Sequence, residues 1–157
     1  MKIEIMPVGE VVVKGGNYFL KIKPEYVVAM QKLEGFSHLQ IFWWCHHNDN
    51  PAARKKVSCQ TPYEAAPEDI GVFATRSPMR PNPIALTAVK VLDINHEKGL
   101  IKVYYIDAEN GTPIIDIKPY HPCCDRIKNV SVPQWCSTWP QWYEDSATFD
   151  WDSVFRF

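Results

Sequence analysis

Apolar positions along the chain fall into short runs broken by glycine and proline, the pattern of strands joined by turns rather than of long helices. The segments IEIMPVGEVVV and NYFLKIK flank Lys14-Gly15-Gly16, and glycine reaches the positive φ angles of tight turns, so they predict a first β-hairpin. Pro24 to Leu33 is the best helix candidate. Proline is tolerated in a first turn, and Val27, Met30 and Leu33 recur on one helical face.

HLQIFWWCHH reads as a buried strand. Leu86 to Ile94 and Leu100 to Ile106 are rich in β-formers, and Asn95 to Gly99 between them predicts a longer hairpin loop. Beyond Pro122 the pattern dissolves into an aromatic, irregular C-terminal tail. With 13 prolines and seven glycines spread along the sequence, the expected fold class is all-β with one short helix. No GxGxxG fingerprint and no strand-helix-strand alternation occurs, which argues against a doubly wound nucleotide-binding fold.

At 157 residues and 46% hydrophobic content, the chain can bury one substantial core. The expected division is a main domain over residues 1–136 and an acidic aromatic extension over 137–157. Lys and Arg total 17 against 18 Asp and Glu, so no charge excess announces tight unspecific nucleic-acid binding. From Ser137 onward Glu144, Asp145, Asp150 and Asp152 face only Arg156. An RNA site would therefore be a local patch, drawn from Arg54, Lys55, Lys56, Arg76, Arg80 and Lys118.

The amino-terminal residues lack the features of a signal peptide, and no run approaches 18 apolar residues. The reading is a soluble, cytoplasmic protein with no membrane partner. Five cysteines without CxxC spacing read as thiols, mostly buried, rather than as a disulfide framework.

Three stretches carry chemistry. In GVFATRSPMRPNPIALTAVKVL a short apolar strand enters a loop bearing Arg76, Arg80, Asn82 and three prolines. Pro78, Pro81 and Pro83 fix their own φ and restrict their neighbours, so binding there would cost little conformational entropy. Arginine suits carboxylate or phosphate recognition; pairing with surface carboxylates is about as good an explanation.

In IDAENGTPIIDIKPYHP a turn at Asn110-Gly111 precedes Asp116 and Lys118 on one side of an extended segment, with Ile115 and Ile117 opposite. Asp107 and Asp116 are candidate acceptors for ribose hydroxyls or an amino group, and Lys118 for a phosphate; a solvent-facing charge pair is the commoner outcome. LEGFSHLQIFWWCHHNDN ends a strand in His46 and His47, which on a strand would point to opposite faces and could not chelate one metal. His38, His46, His121 and the cysteines have no useful ligand spacing, so no metal site is assigned.

Together these stretches resemble the TsaA-like, or TrmO-type, family of tRNA adenosine N6-methyltransferases, over about Leu33 to Pro122. ATRSPMRPNPIAL followed by NGTPIIDIKPYHP carries the resemblance, with FSH, a hydrophobic strand and His46 in the same order. It implies a small β-barrel that works as a homodimer and binds S-adenosylmethionine near the subunit boundary. The implied reaction is N6-methylation of a threonylcarbamoyl-modified adenosine beside the tRNA anticodon, with no role for DNA. The implied cofactor contacts are His46, His47, Arg76, Leu86, Tyr104, Tyr105, Ile106 and Asp107, the last four ending a strand. Arg80, Asn82, Asp116 and Lys118 are the expected substrate contacts.

No catalytic base is assigned, with Asp107 and Asp116 as candidates. The chain departs from the family at Ala85 and Thr87, where glycine and serine are frequent, and VKGGNYFLK does not match the family's amino-terminal arm. The carboxy-terminal domain with which longer members hold tRNA is not expected here, and the tail reads as a structural cover. Two other readings remain: a methyltransferase of this fold with a small-molecule or other nucleoside substrate, and a non-catalytic S-adenosylmethionine-binding protein or a metal-binding module using His121, Cys123 and Cys124.

Overall fold

The computed structural model describes residues 3–156. The chain divides into two compact units, one formed by Met1–Asn50 with Asn82–Arg126 and the other by Pro51–Pro81 with Ile127–Phe157. The sequence reading put one boundary at residue 136. In the structure the chain leaves the first unit after Asn50, returns at Asn82 and leaves again after Arg126, and the inserted segment packs with the tail.

The strands are β1 (Gly9–Lys14), β2 (Asn17–Ile22), β3 (His38–Trp44), β4 (Ser58–Gln60), β5 (Asp69–Gly71), β6 (Ile84–Asn95), β7 (Leu100–Val103) and β8 (Pro113–Pro119). Six close into an antiparallel barrel in the order β1-β2-β7-β6-β3-β8. As expected, Gly15 and Gly16 form the first turn, at φ 57° and 72°, the geometry a two-residue hairpin needs. Closure of the barrel rests on a short seam: β1 and β8 pair only at Gly9↔Ile114 and Glu10↔Pro113. Val8 N–H to Ile114 O and Val11 N–H to Thr112 O, both 2.8 Å, reinforce it.

Alternation fills the interior. Leu39 and Ile41 are fully buried, while the alternating Gln40 and Phe42 face outward with partial exposure. Val11, Leu20, Val89, Ile101, Val103 and Ile114 complete the barrel core. Pro24 to Leu33 does not form the expected α-helix; Pro24–Met30 is a 3-10 helix. Its apolar face is nonetheless the expected one, with Met30 buried and Val27 and Leu33 packed on the core.

A register shift between Phe42 and Trp43 marks a bulge in β8, where Asp116 opposes Phe42 and Ile114 opposes Trp43. The extra residue, Ile115, breaks the expected pairing of Ile115 with Ile117, and Ile114 and Ile117 supply the core contacts instead.

In the second unit β4 and β5 form a two-stranded antiparallel ribbon. The strand expected to run from Gly71 stops there, and Val72–Ala74 is a 3-10 turn. The tail has no strand or long helix among its described residues, and its rings gather around Tyr63: Trp135 stacks at 5.2 Å, Trp139 meets it edge-on at 5.0 Å and Phe155 lies at 5.5 Å. Trp151 extends the group through Trp139 at 5.6 Å. Arg156 closes on Glu64 at 2.9 Å. This unit is too small for a deep aliphatic core, and aromatic rings of large area supply its burial.

Candidate functional site

β3, β7 and β1 run in the same direction around the barrel, so the segments that follow them emerge at one end. The loop after β3 carries His46 and His47, and the connection after β7 carries Tyr104 to Asp107. His46 and His47 do not lie on a strand pointing apart. His46–Asn48 is a 3-10 turn, which brings the two rings together with centroids 3.8 Å apart.

His47 Nε2 lies 2.9 Å from Glu109 Oε2, joining the two loops. Tyr105 donates to Asp107 Oδ1 at 3.4 Å, and its ring meets Tyr18 edge-on at 5.2 Å. The rim therefore combines two imidazoles, two carboxylates and exposed phenol rings.

β7 ends at Val103, so Tyr104 to Asp107 form an irregular connection rather than the expected strand end. Its alternation is still informative. Tyr104 is 70% exposed, whereas Ile106 is 1% exposed and belongs to the core. The Ile106 side chain thus anchors the connection from below and leaves only its main chain to face a ligand. The following turn is tied down on both sides: Asn110 Oδ1 accepts the Val13 N–H at 2.9 Å, and Gly111 N–H donates to Val11 O at 2.7 Å.

A second feature lies on the outer face of β3, β6 and β8. A cleft of about 310 Å³ is lined by residues that include Phe42, Leu86, Lys118, His121 and Cys124. Leu86 pairs with Phe42 across β6 and β3, which places it on this outer wall. Lys118 Nζ lies 2.6 Å from Asp116 Oδ2 and 5.8 Å from the Phe42 ring. Asp116 also accepts the Ile117 N–H through Oδ1 at 2.9 Å. Asp116 and Lys118 thus form the charge pair that their spacing allowed, and both Asp116 oxygens already have donors.

Arg76 and Arg80 lie in the second unit, while Asn82 begins the return to the barrel. Arg80 donates through Nη1 to Thr75 O at 3.3 Å, and buried Thr75 is held by its hydroxyl donating to Val72 O at 2.9 Å. Ser77 N–H donates to Thr75 Oγ1 at 3.2 Å, and Met79 N–H to Ser77 Oγ at 3.3 Å. These side-chain bonds shape the loop as much as its prolines do. Burial holds the Tyr63 phenol above the ordinary tyrosine value, against a hydrogen bond from the Arg76 main chain.

Sequence reasoning missed Glu109, whose place before Asn110-Gly111 gave no hint of a histidine partner after β3. It also missed Phe42 and His121 as cleft residues and judged the cysteines mostly buried. Cys45 and Cys136 are buried, but Cys123 and Cys124 are exposed, because a single exposed turn, Pro122–Asp125, follows the barrel. Among the described residues no group of three or more His, Cys, Asp or Glu could hold a metal ion, and no helix is long and apolar enough to cross a membrane.

The closed antiparallel barrel with a polar, tyrosine-bearing rim defines a small β-barrel domain, distinct in topology from doubly wound cofactor folds. Comparison with known proteins makes the assignment specific. The family described as the tRNA-methyltransferase O N-terminal domain matches residues 2–126, and the chain belongs to that family.

An S-adenosyl-L-methionine-binding protein of Archaeoglobus fulgidus is 37% identical over 115 residues, covering 73% of this chain and 77% of that protein. The tRNA (adenine(37)-N6)-methyltransferase of Escherichia coli is 35% identical over 106 residues, or 66% of this chain and 44% of the enzyme. In the crystal structure of TrmO from Pseudomonas aeruginosa, similarity at a TM-score of 0.62 and 25% identity covers 83% of this chain and 62% of that one. The match thus spans less than half of the E. coli enzyme.

Proposed function

We propose that this chain transfers a methyl group from S-adenosylmethionine to N6 of an adenosine in tRNA. Membership of the tRNA-methyltransferase O N-terminal domain family over residues 2–126 is the observation that carries the reading. The finer proposal is an adenosine next to the anticodon carrying a threonylcarbamoyl group, methylated by a cytoplasmic homodimer.

The donor set fits the cofactor. Exposed Tyr104 and Tyr105 offer faces on which adenine can stack, and Asp107 and Glu109 offer acceptors for ribose hydroxyls. His46 and His47 supply donors for the carboxylate end. Bound there, S-adenosylmethionine would supply an electrophilic methyl group on sulfur.

The protein's part is chiefly to hold the acceptor nitrogen in line, since proximity and orientation are worth several kcal/mol. Asp107 is the proposed proton acceptor for the amino group. Its one described hydrogen bond is the 3.4 Å contact from Tyr105, whereas both oxygens of Asp116 are engaged. Asn82 and Lys118 are the proposed substrate contacts on the barrel unit, Lys118 by exchanging Asp116 for a phosphate or carboxylate.

The test is nucleoside mass spectrometry of tRNA incubated with the protein and S-adenosylmethionine. N6-methylated adenosine supports the reading; methyl transfer to free nucleosides but not to tRNA refutes it. A second reading, cofactor binding without transfer, is favoured by the name and matching length of the A. fulgidus relative. It predicts calorimetric binding with no methylated product. In either case Tyr104→Ala should weaken S-adenosylmethionine binding about tenfold with the fold intact, since its ring is 70% exposed and the change removes one stacking face.

A further inference from the structure

The turn that follows β8 places two thiols side by side. Cys123 and Cys124 are both exposed, and their Sγ atoms lie 3.7 Å apart. The turn is fixed by Pro122 at its start and by Asp125 Oδ2, which accepts the His121 N–H at 2.7 Å. Cys124 also lines the outer-face cleft beside Phe42, Leu86 and Lys118. Nothing in the methyl-transfer reading uses either sulfur.

The spacing discriminates between the possible fates of the pair. A disulfide would need the sulfurs to close to about 2.05 Å, and between adjacent residues that closure must be taken up by the backbone of the turn. A bridging atom needs no such movement. Bonds of about 2.3 Å put two sulfurs roughly 3.3–3.8 Å apart at angles from pyramidal to tetrahedral, within reach of the distance present by side-chain rotation. Both thiols give up their protons on binding a soft centre.

The two sulfurs lack a third protein ligand, since no group of three or more ligating side chains exists among the described residues. That excludes an all-protein tetrahedral zinc cage within the described chain and favours a centre that brings its own substituent. Phe42 and Leu86 give the cleft an apolar wall for an organic group.

We propose that Cys123 and Cys124 form a chelating dithiol site for a thiophilic, trivalent organometalloid, with an organoarsenical as the ligand class. With an arsenous oxide RAsO, two arsenic–sulfur bonds form and the arsenic–oxygen bonding breaks. The two thiol protons leave with the oxygen as water, and arsenic stays trivalent, so no oxidant or reductant is required.

The experiment uses phenylarsine oxide and the full chain, followed by intact-mass spectrometry. Equimolar reagent should add one phenylarsenic group per chain, and the adduct should survive a hundredfold excess of glutathione but yield to 2,3-dimercaptopropanol. Cys123→Ser and Cys124→Ser should each abolish the glutathione-resistant adduct, while Cys59→Ser retains it. Both substitutions are at exposed positions, and unchanged circular dichroism verifies the fold. A wild-type adduct stripped by glutathione, or a resistant adduct that persists in both serine variants, overturns the proposal.

Discussion

Gly9→Ala tests how closely β1 packs on β2 where it also meets β8 to close the barrel. Gly9 sits where three strands meet, opposite Ile22 on β2 and Ile114 on β8. A Cβ there would overlap the Lys21 carbonyl oxygen and come within 3.2 Å of the Ile22 Cα. Both neighbours are backbone, so no side chain can rotate away and β1 itself must shift. Overpacking of this kind costs about 1–3 kcal/mol, and the upper end applies where backbone has to yield.

At roughly 2–4 °C per kcal/mol for a chain of this size, the melting temperature should fall by about 6–12 °C. Gly71→Ala is the matched control, because Gly71 has φ −61° and its Cβ would meet nothing within 4 Å. It should be neutral or stabilising by about 0.4–1 kcal/mol. Thermal unfolding followed by circular dichroism reads both. Hydrogen exchange at the Val8 and Val11 amides, which bond to Ile114 and Thr112, should rise in Gly9→Ala. A Gly9→Ala protein melting within about 1 °C of wild type would refute the claim that β1 is tightly packed against β2 at Gly9.

Three further outcomes are expected. Ile106→Ala should cost about 2–5 kcal/mol in denaturant titrations and weaken S-adenosylmethionine binding as well, since the side chain anchors the Tyr104–Asp107 connection; unchanged stability contradicts its burial. Lys118→Ala should change stability by less than about 1 kcal/mol, because its pair with Asp116 is largely exposed, yet raise KM for tRNA with little effect on cofactor affinity; an unchanged KM removes Lys118 from the substrate surface. The raised Tyr63 value means that the folded state favours the neutral phenol. Its contribution is fully present below the unfolded value of about 10 and is lost as pH rises through the raised folded value. Tryptophan fluorescence should therefore report loosening of the aromatic cluster in alkali, and Tyr63→Phe should move that transition to higher pH; an identical transition would disconnect it from Tyr63.

Much of the barrel was legible because its signals are local. The glycine pair at 15–16 demanded positive φ, the apolar alternation of β3 specified two faces, and Val27, Met30 and Leu33 identified the buried side of a turn even though its hydrogen bonding is 3-10 rather than α. The proline-arginine and NGTP segments carried the family resemblance for the same reason, since each is a contiguous string.

What failed depends on partners distant in sequence. The adjacency of His46 and His47 follows from a tight turn after β3, and His47 finds Glu109 only because β3 and β7 end at the same rim. The bulge that replaces Ile115 by Ile114 in the core is set by pairing with β3. The grouping of the 51–81 insertion with the tail is set by where the rings of Trp135, Trp139 and Phe155 find Tyr63.

By itself, then, the sequence determined which residues turn, which segments alternate and, where no bulge intervenes, which face inward, because those properties are decided within a few residues by backbone sterics and side-chain solvation. Only the tertiary structure decided which loops share a rim, where the chain divides into units and which polar groups meet, because those depend on closing a sheet between segments far apart along the chain.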